Sequence, residues 1–175
     1  MQYEVIRVFP IVLPITRMAV QEGELVVDMS KHTLAPNTLV IVNITGVHYN
    51  ERHWPHPHII EPRRWLTSHP NMYDPLAPTS QQEEEIRQSR ATIPSHTRGT
   101  FMTFNEGPRS CPGRRFAQVE FIAFFSRLLR GNRLKLGGSV SAAEAERQIR
   151  LRAGGSPVTL VPPEDVKVYL TPIAR

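Results

Sequence analysis

Apolar residues fall in runs of different period along this chain, and each period predicts a different element. Residues 2 to 9, "QYEVIRVF", read as a short helix stopped by Pro10, because proline disfavours helical geometry in the residue before it. From Gly23 to Thr45 the pattern turns to β. There "ELVVDM" and "TLVIVNIT" are rich in β-branched residues and "LAPNT" between them has turn chemistry, which predicts a small antiparallel unit. Residues 46 to 103 hold prolines at 55, 57, 62, 70, 75, 78 and 94, and read as a long meander with one polar helix around "SQQEEEIRQSR". The strongest helical signal is "GRRFAQVEFIAFFSRLLRGN". Phe116, Val119, Ile122, Ala123, Ser126 and Leu129 recur at helical spacing, Phe121, Phe124, Phe125 and Leu128 widen the apolar surface, and Gly131 is a natural stop. So wide an apolar surface calls for protein on more than one side. The glycine-bounded "GGSVSAAEAERQIRLRAGGS" reads as an exposed excursion, and "PVTLVPPEDVKVYLTPI" as two final strands joined by a Pro-Pro-Glu-Asp turn. The expected fold class is α+β, with no internal repeat and no clear domain boundary.

Length and composition narrow this further. With 175 residues and 40% hydrophobic content, the chain is the size of one domain with a moderate core. Sixteen prolines against ten glycines point to long irregular connections, which commonly serve a site or wrap a cofactor. A net charge of +5 and a pI near 9.9 suit an acidic partner. The arginines are dispersed, however, and neither a basic run interleaved with aromatics nor helix-turn-helix or zinc-finger spacing is present, which argues against nucleic acid. The opening "MQYEVIRVFPIVLPITRMAV" is broken by Pro10 and Pro14 and carries Glu4, Arg7 and Arg17, so it reads as neither a membrane anchor nor a signal peptide. His53, His56 and His58 lie close in sequence, but Trp54, Pro55 and Pro57 are expected to hold them extended, with no suitably spaced acidic or thiol partner for a metal.

Chemistry concentrates in "FNEGPRSCPGRRFA", which contains the only cysteine. A single thiol rules out an intramolecular disulfide and a multi-cysteine metal site. Cys111 sits just before the strongest predicted helix, where unpaired N–H groups and the positive end of the dipole favour an anion. Arg109 adds positive charge. Gly107 permits a tight turn, Gly113 removes a side chain where something flat and bulky could approach, and Phe104 offers an aromatic cover. A buried structural thiol is the plain alternative. A redox cysteine is a further one, disfavoured because no resolving thiol or obvious base accompanies it.

The spacing Phe104, Gly107, Arg109, Cys111, Gly113 resembles the haem-binding loop of the cytochrome P-450 family, Phe-x-x-Gly-x-Arg-x-Cys-x-Gly, at all five specified positions. Other segments agree in order. "YEVIR" resembles the family's Glu-x-x-Arg helix, giving Glu4 and Arg7, and "EPRRW" its Pro-x-Arg-Phe/Trp element, giving Pro62, Arg64 and Trp65. "HYNERHWPHPHIIEPRRW" is similar to the pattern between them at His48, Trp54 and Pro57, and departs from it at Tyr49, Asn50, Glu51 and His56.

The resemblance implies that Cys111 is the axial ligand of haem (iron protoporphyrin IX) and that Arg17 and Arg109 pair with haem propionates. It also implies that Glu4, Arg7 and Arg64 form one buried structural cluster. It covers nearly the whole chain, so residues 1–175 are expected to be a truncated cytochrome P-450 domain, the proximal haem-binding half. The implied function is that of a haem-thiolate monooxygenase fragment. In the complete enzyme the partners would be an electron-donating reductase and a lipophilic small molecule, often at the endoplasmic reticulum membrane. The distal helix that handles oxygen and protons has no counterpart here, so the chain alone is expected to lack turnover. The alternative function is a non-catalytic haem-binding or interaction fragment.

Overall fold

A computed structural model describes residues 1–88, 96–137, 141–152, 154–155, 160–161 and 166–173. The chain opens with helix α1 (Gln2–Val8), ended at Phe9 just before Pro10, as the proline predicts. Strands β1 (Pro14–Met18), β2 (Gly23–Val27), β3 (Ser30–Leu34) and β4 (Leu39–Asn43) follow, and lead into the short helix α2 (Ile44–His48). Asn43 caps α2 by accepting the Gly46 N–H at 3.0 Å.

The antiparallel unit is larger than the sequence pattern predicts, and it pairs differently. "ELVVDM" and "TLVIVNIT" do not pair with each other. β2 pairs with β3 through the two-residue turn Asp28–Met29, and β4 pairs with β1, Pro14 facing Asn43. Both turn residues have positive φ, 46° and 65°, the twist that a two-residue hairpin requires. The polar β3 and the proline-initiated β1 lack the β-branched density that marks their partners, which is why composition passes over them.

The meander contains two 3-10 turns, Pro62–Leu66 and Pro70–Met72, before helix α3 (Ser80–Gln88). The segment carrying His53, His56 and His58 is not extended as expected. It winds through consecutive turns, with the Trp54 N–H bonded to the Asn50 carbonyl and His56 at φ 47°. Residues 89 and 90 at the end of the polar helix signal and Pro94 lie outside the described residues.

Helix α4 (Arg114–Leu128) follows the cysteine loop and stops at Gly131, whose φ of 77° favours glycine. Strand β5 (Asn132–Leu136) comes next, then α5 (Ala142–Arg152), β6 (Gly154–Gly155), β7 (Leu160–Val161) and β8 (Val168–Pro172). Part of the proposed excursion is therefore a docked helix. Ala145 is buried, and Arg150 donates to the His58 carbonyl at 2.7 Å while its guanidinium lies 5.6 Å from the centre of the Phe9 ring. Among the described residues, β8 runs against β5 and β7 against β6 rather than the last two strands against each other; the Pro-Pro-Glu-Asp turn lies outside the described residues.

Among the described residues, four antiparallel strand pairs with intervening helices make an α+β fold. Its core is aromatic: Ile6, Trp54, Trp65 and Phe101 are buried together, with Tyr3 and Phe104 packed against them. That core joins α1, the meander and the segment leading into the cysteine loop. Among the described residues, no helix is long and apolar enough to cross a membrane.

Candidate functional site

Beside the aromatic core lies a buried group of charges. Glu4 and Arg7 share one face of α1 at a separation of three, and the turn Pro62–Leu66 brings Arg64 to the same carboxylate; all three are fully buried. The Glu4 carboxylate accepts five hydrogen bonds. They come from Arg7 Nε and Nη2 (2.9 and 2.8 Å), Arg64 Nε (3.1 Å), Trp65 Nε1 (2.8 Å) and the Glu61 N–H (3.0 Å). One carboxylate cannot neutralise two guanidiniums, and backbone carbonyls take up part of the excess: those of His48 and Ile59 accept from Arg7, and that of Tyr73 from Arg64, whose Nη2 is buried without a partner among the described residues. Both guanidiniums also lie near the Trp54 ring, at 5.3 and 6.0 Å from its centre. Burial alone would raise the Glu4 carboxyl, but the hydrogen bonds and charges of Arg7 and Arg64 outweigh it and hold the group below its ordinary value.

The cysteine loop hangs from this frame. Phe104 is half-buried on the core, its carbonyl accepts the Cys111 N–H at 2.7 Å, and the loop between closes as a tight reversal. Asn105 at φ 58° and Gly107 at φ 74° make that reversal possible. Asn105 braces it by donating through Nδ2 to the Arg109 carbonyl at 2.9 Å, while its Oδ1 accepts the Glu106 N–H at 3.0 Å. Glu106 ties the loop sideways by accepting the Gly99 N–H at 3.0 Å.

Cys111 is exposed, not the buried structural thiol of the plain alternative. No side chain caps the start of α4 at Gly113, so the first N–H groups of the helix have no side-chain acceptor. A Cβ added at Gly113 would meet only the Cys111 Sγ within 4 Å, at 3.7 Å, and one at Gly107 would meet nothing. The space beside the sulfur is open.

The structure thus gathers Phe104, Gly107, Arg109, Cys111 and Gly113 in one loop, and Glu4, Arg7 and Arg64 in one buried cluster. Arg17 lies on β1. It is exposed, and among the described residues its hydrogen bond goes to the Thr16 carbonyl at 2.8 Å. Arg109 is exposed on the loop.

Sequence reasoning did not single out several supporting residues. Arg114 places its guanidinium 5.8 Å from the Phe104 ring centre, and Thr103 donates to the Ile6 carbonyl at 3.2 Å. His48, a position that the family pattern marks without giving it a task, links α1 to Met102. An Asn two residues before a Gly is the one signal in the sequence for the left-handed turn at Asn105. The histidine segment forms no metal cluster: among the described residues, no group of three or more His, Cys, Asp or Glu is placed to hold an ion. His56 instead lies 3.5 Å from Asp74.

The sequence profile described as Cytochrome P450 matches residues 2–151. A cytochrome P450 monooxygenase of Arthrobotrys oligospora is 33% identical over 97% of this chain, and one of Penicillium rubens 33% over 96%. The chain spans 30% and 28% of the length of those two relatives. Among solved structures, the retinoic acid-bound cyanobacterial CYP120A1 superposes with a TM-score of 0.66 at 19% identity, over 98% of this chain and 31% of that one. A zebra fish cytochrome P450 solved with abiraterone gives 0.63 at 24% identity, over 99% and 32%. With a family profile across most of its length, relatives a third identical, and the same fold in solved members, this chain belongs to the cytochrome P450 family.

Proposed function

We propose that this chain provides the thiolate side of a haem monooxygenase site, with Cys111 as the axial ligand of the iron. The observation that carries the reading is an exposed sulfur beside open space, at the uncapped start of α4, on a loop braced by Asn105 and anchored through Phe104 on the aromatic core. Haem is the family's cofactor, and the residues present fit it. A single thiol in front of an unfilled surface suits a flat macrocycle, and Gly113 leaves room where a Cβ would stand beside the sulfur.

Each residue then has a task. Cys111 donates sulfur electron density, while the N–H groups at the start of α4 and the loop geometry hold that charge in place. Phe104 would cover the thiolate with its ring, near which Arg114 lies. Arg109 and Arg17 are exposed cations suited to carboxylates such as the propionates. When bound, haem supplies the iron chemistry that activates dioxygen for insertion into an organic substrate. The whole enzyme would take electrons from a reductase and act on a lipophilic molecule.

The exposed apolar face of α4 favours a second reading, in which the chain binds haem or another chain without turnover. An absorption spectrum of the haem-loaded chain, reduced and treated with carbon monoxide, tests the first reading. A thiolate-ligated band that is lost in Cys111→Ala is the expected result. Identical spectra from the two proteins would remove Cys111 as ligand. Cysteine-dependent product from the chain supplied with haem and an electron donor would exclude the second reading.

A further inference from the structure

His48 ends α2 as a fully buried histidine with both ring nitrogens engaged. Its Nε2 lies 2.9 Å from the Met102 N, a backbone donor, so Nε2 must carry the lone pair. The ring proton therefore sits on Nδ1, which donates to the Arg7 carbonyl at 3.1 Å. The ring is further fixed by stacking on Phe101 at 5.2 Å with an interplanar angle of 16°.

These bonds belong to a larger device. The last carbonyls of a helix have no intrahelical partner, and in α1 side chains fill that need for three successive residues. The Ile6 carbonyl accepts from Thr103 Oγ1, that of Arg7 from His48 Nδ1, and that of Val8 from the Tyr49 hydroxyl at 2.9 Å. Thr103 and His48 thereby attach the end of α1 to one short stretch, Met102–Phe104. From that stretch the Met102 carbonyl accepts the Asn105 N–H at 2.9 Å, and the Phe104 carbonyl accepts the Cys111 N–H.

We infer that His48 is a positioning residue for Cys111: by holding the Met102 N–H it sets the strut from which the cysteine loop hangs. This rests on the reading of Cys111 as the haem ligand. The neutral imidazole is needed as an acceptor at one end and a donor at the other, a combination that no aliphatic or permanently charged side chain supplies.

Two substitutions separate the ends of the ring. An Asn amide reaches the Nδ1 position only, so His48→Asn keeps the α1 contact and loses the acceptor for Met102. The longer His48→Gln places an acceptor near Nε2. Amide hydrogen exchange of the chain without haem is the first readout. The Met102 amide is expected to exchange faster by about tenfold or more in His48→Asn, as loss of a buried hydrogen bond implies, and to stay near the parent rate in His48→Gln. The second readout is iodoacetamide labelling of Cys111, unambiguous because it is the only cysteine. Its rate should shift in His48→Asn and return in His48→Gln, and the thiolate-ligated fraction of haem-loaded protein should follow the same order.

Equal Met102 exchange in the two variants would overturn the inference. So would labelling and ligation that track melting temperature alone, with Thr67→Val, which loses a buried hydrogen bond to the Arg64 carbonyl outside the strut, as the control for stability loss. Nitrogen chemical shifts of the His48 ring in the unsubstituted chain give a test that needs no variant, and a proton on Nε2 would end the inference. If Cys111→Ala leaves the spectrum unchanged, the haem reading fails while Met102 exchange still reports on the strut. If Cys111→Ala abolishes the band but His48→Asn labels and ligates like the parent, the failure belongs to His48 alone.

Discussion

The Glu4 carboxylate is the shared acceptor for two guanidiniums, an indole and a backbone amide, so its partners cannot be removed singly without stranding buried charge. Arg64→Ala is expected to cost roughly 3–5 kcal/mol and to lower the melting temperature sharply; an unchanged melting curve would show that the pair carries little. His48 adds acid sensitivity. Burial, opposed by its bond to the Arg7 carbonyl and helped by the Arg7 and His96 charges, lowers it from 6.5 to about 4. Between those values the unfolded chain binds a proton that the native chain refuses, so stability rises with pH across that window and is fully present above it. The loss at the acid end is on the order of 3 kcal/mol. Glu4 extends the loss downward, because its depressed carboxyl contributes above 4.5 and fades as pH falls below. Melting curves from pH 7 to pH 4 should therefore fall steadily, and His48→Gln should flatten the upper part of that slope. The two loop glycines separate folding from ligand fit. Gly107→Ala forces a side chain into φ 74° and should cost about 1–2 kcal/mol of stability. Gly113 has an ordinary φ of −80°, so Gly113→Ala should cost under about 1 kcal/mol of stability. It should nevertheless weaken haem binding about tenfold or more, because its Cβ enters the space beside the sulfur. Equal affinity of the Gly113→Ala and parent proteins, measured by haem titration, would place the macrocycle elsewhere.

At the scale of elements, local pattern and partner choice come apart. α1 and α4 lie where periodicity and their stop residues put them, since proline geometry and a terminal glycine act within a few residues. The strands β2 and β4 lie where β-branched residues predict, yet each pairs with a strand that composition misses. The reason for β2 is the turn at Asp28–Met29, where a bulky residue with positive φ completes the shortest hairpin available. Met29→Gly relieves that geometry and should stabilise the hairpin by about 0.5–1 kcal/mol. Because β2 and β3 are almost wholly exposed, the gain should appear as slower amide exchange within the hairpin rather than as a higher global melting temperature. Unchanged exchange would mean that Met29 carries no strain. α5 escaped periodic reading because its contacts are polar: Glu144 pairs with Arg147, Glu146 with Arg150, and Arg150 reaches across to His58.

For the molecule as a whole, the distribution of apolar surface is uneven. The aromatic core is sealed, whereas α4 buries none of its residues and leaves Phe116 72% and Ile122 63% exposed. The sequence pattern calls for protein on more than one side of this helix, and the described residues join it to α1 by two hydrogen bonds, Gln2 to the Ala117 carbonyl and Gln118 to the Tyr3 hydroxyl. A surface of this kind drives association. The chain in isolation should bind a hydrophobic dye and self-associate as its concentration rises, as followed by sedimentation velocity. Phe116→Glu and Ile122→Lys should reduce both without lowering the melting temperature, because neither side chain packs in the core. A monomer at all concentrations would show that the α4 face is tolerated by water.

By itself the sequence determined the cysteine loop, the helices on either side of the meander and the charged residues of the cluster, because these depend on side-chain identity at short, fixed spacing. Five specified positions around one thiol carry the family and its cofactor without any coordinate. Only the tertiary structure decided what those residues touch. It assembled Glu4 with Arg64 across sixty positions, brought two guanidiniums to the Trp54 ring and wound the histidine segment through turns. It also committed His48 at both nitrogens, joining residues far apart in sequence. Spacing records what neighbours along the chain can do; burial, strand partners and hydrogen-bond direction depend on which distant segments meet once the aromatic core has closed.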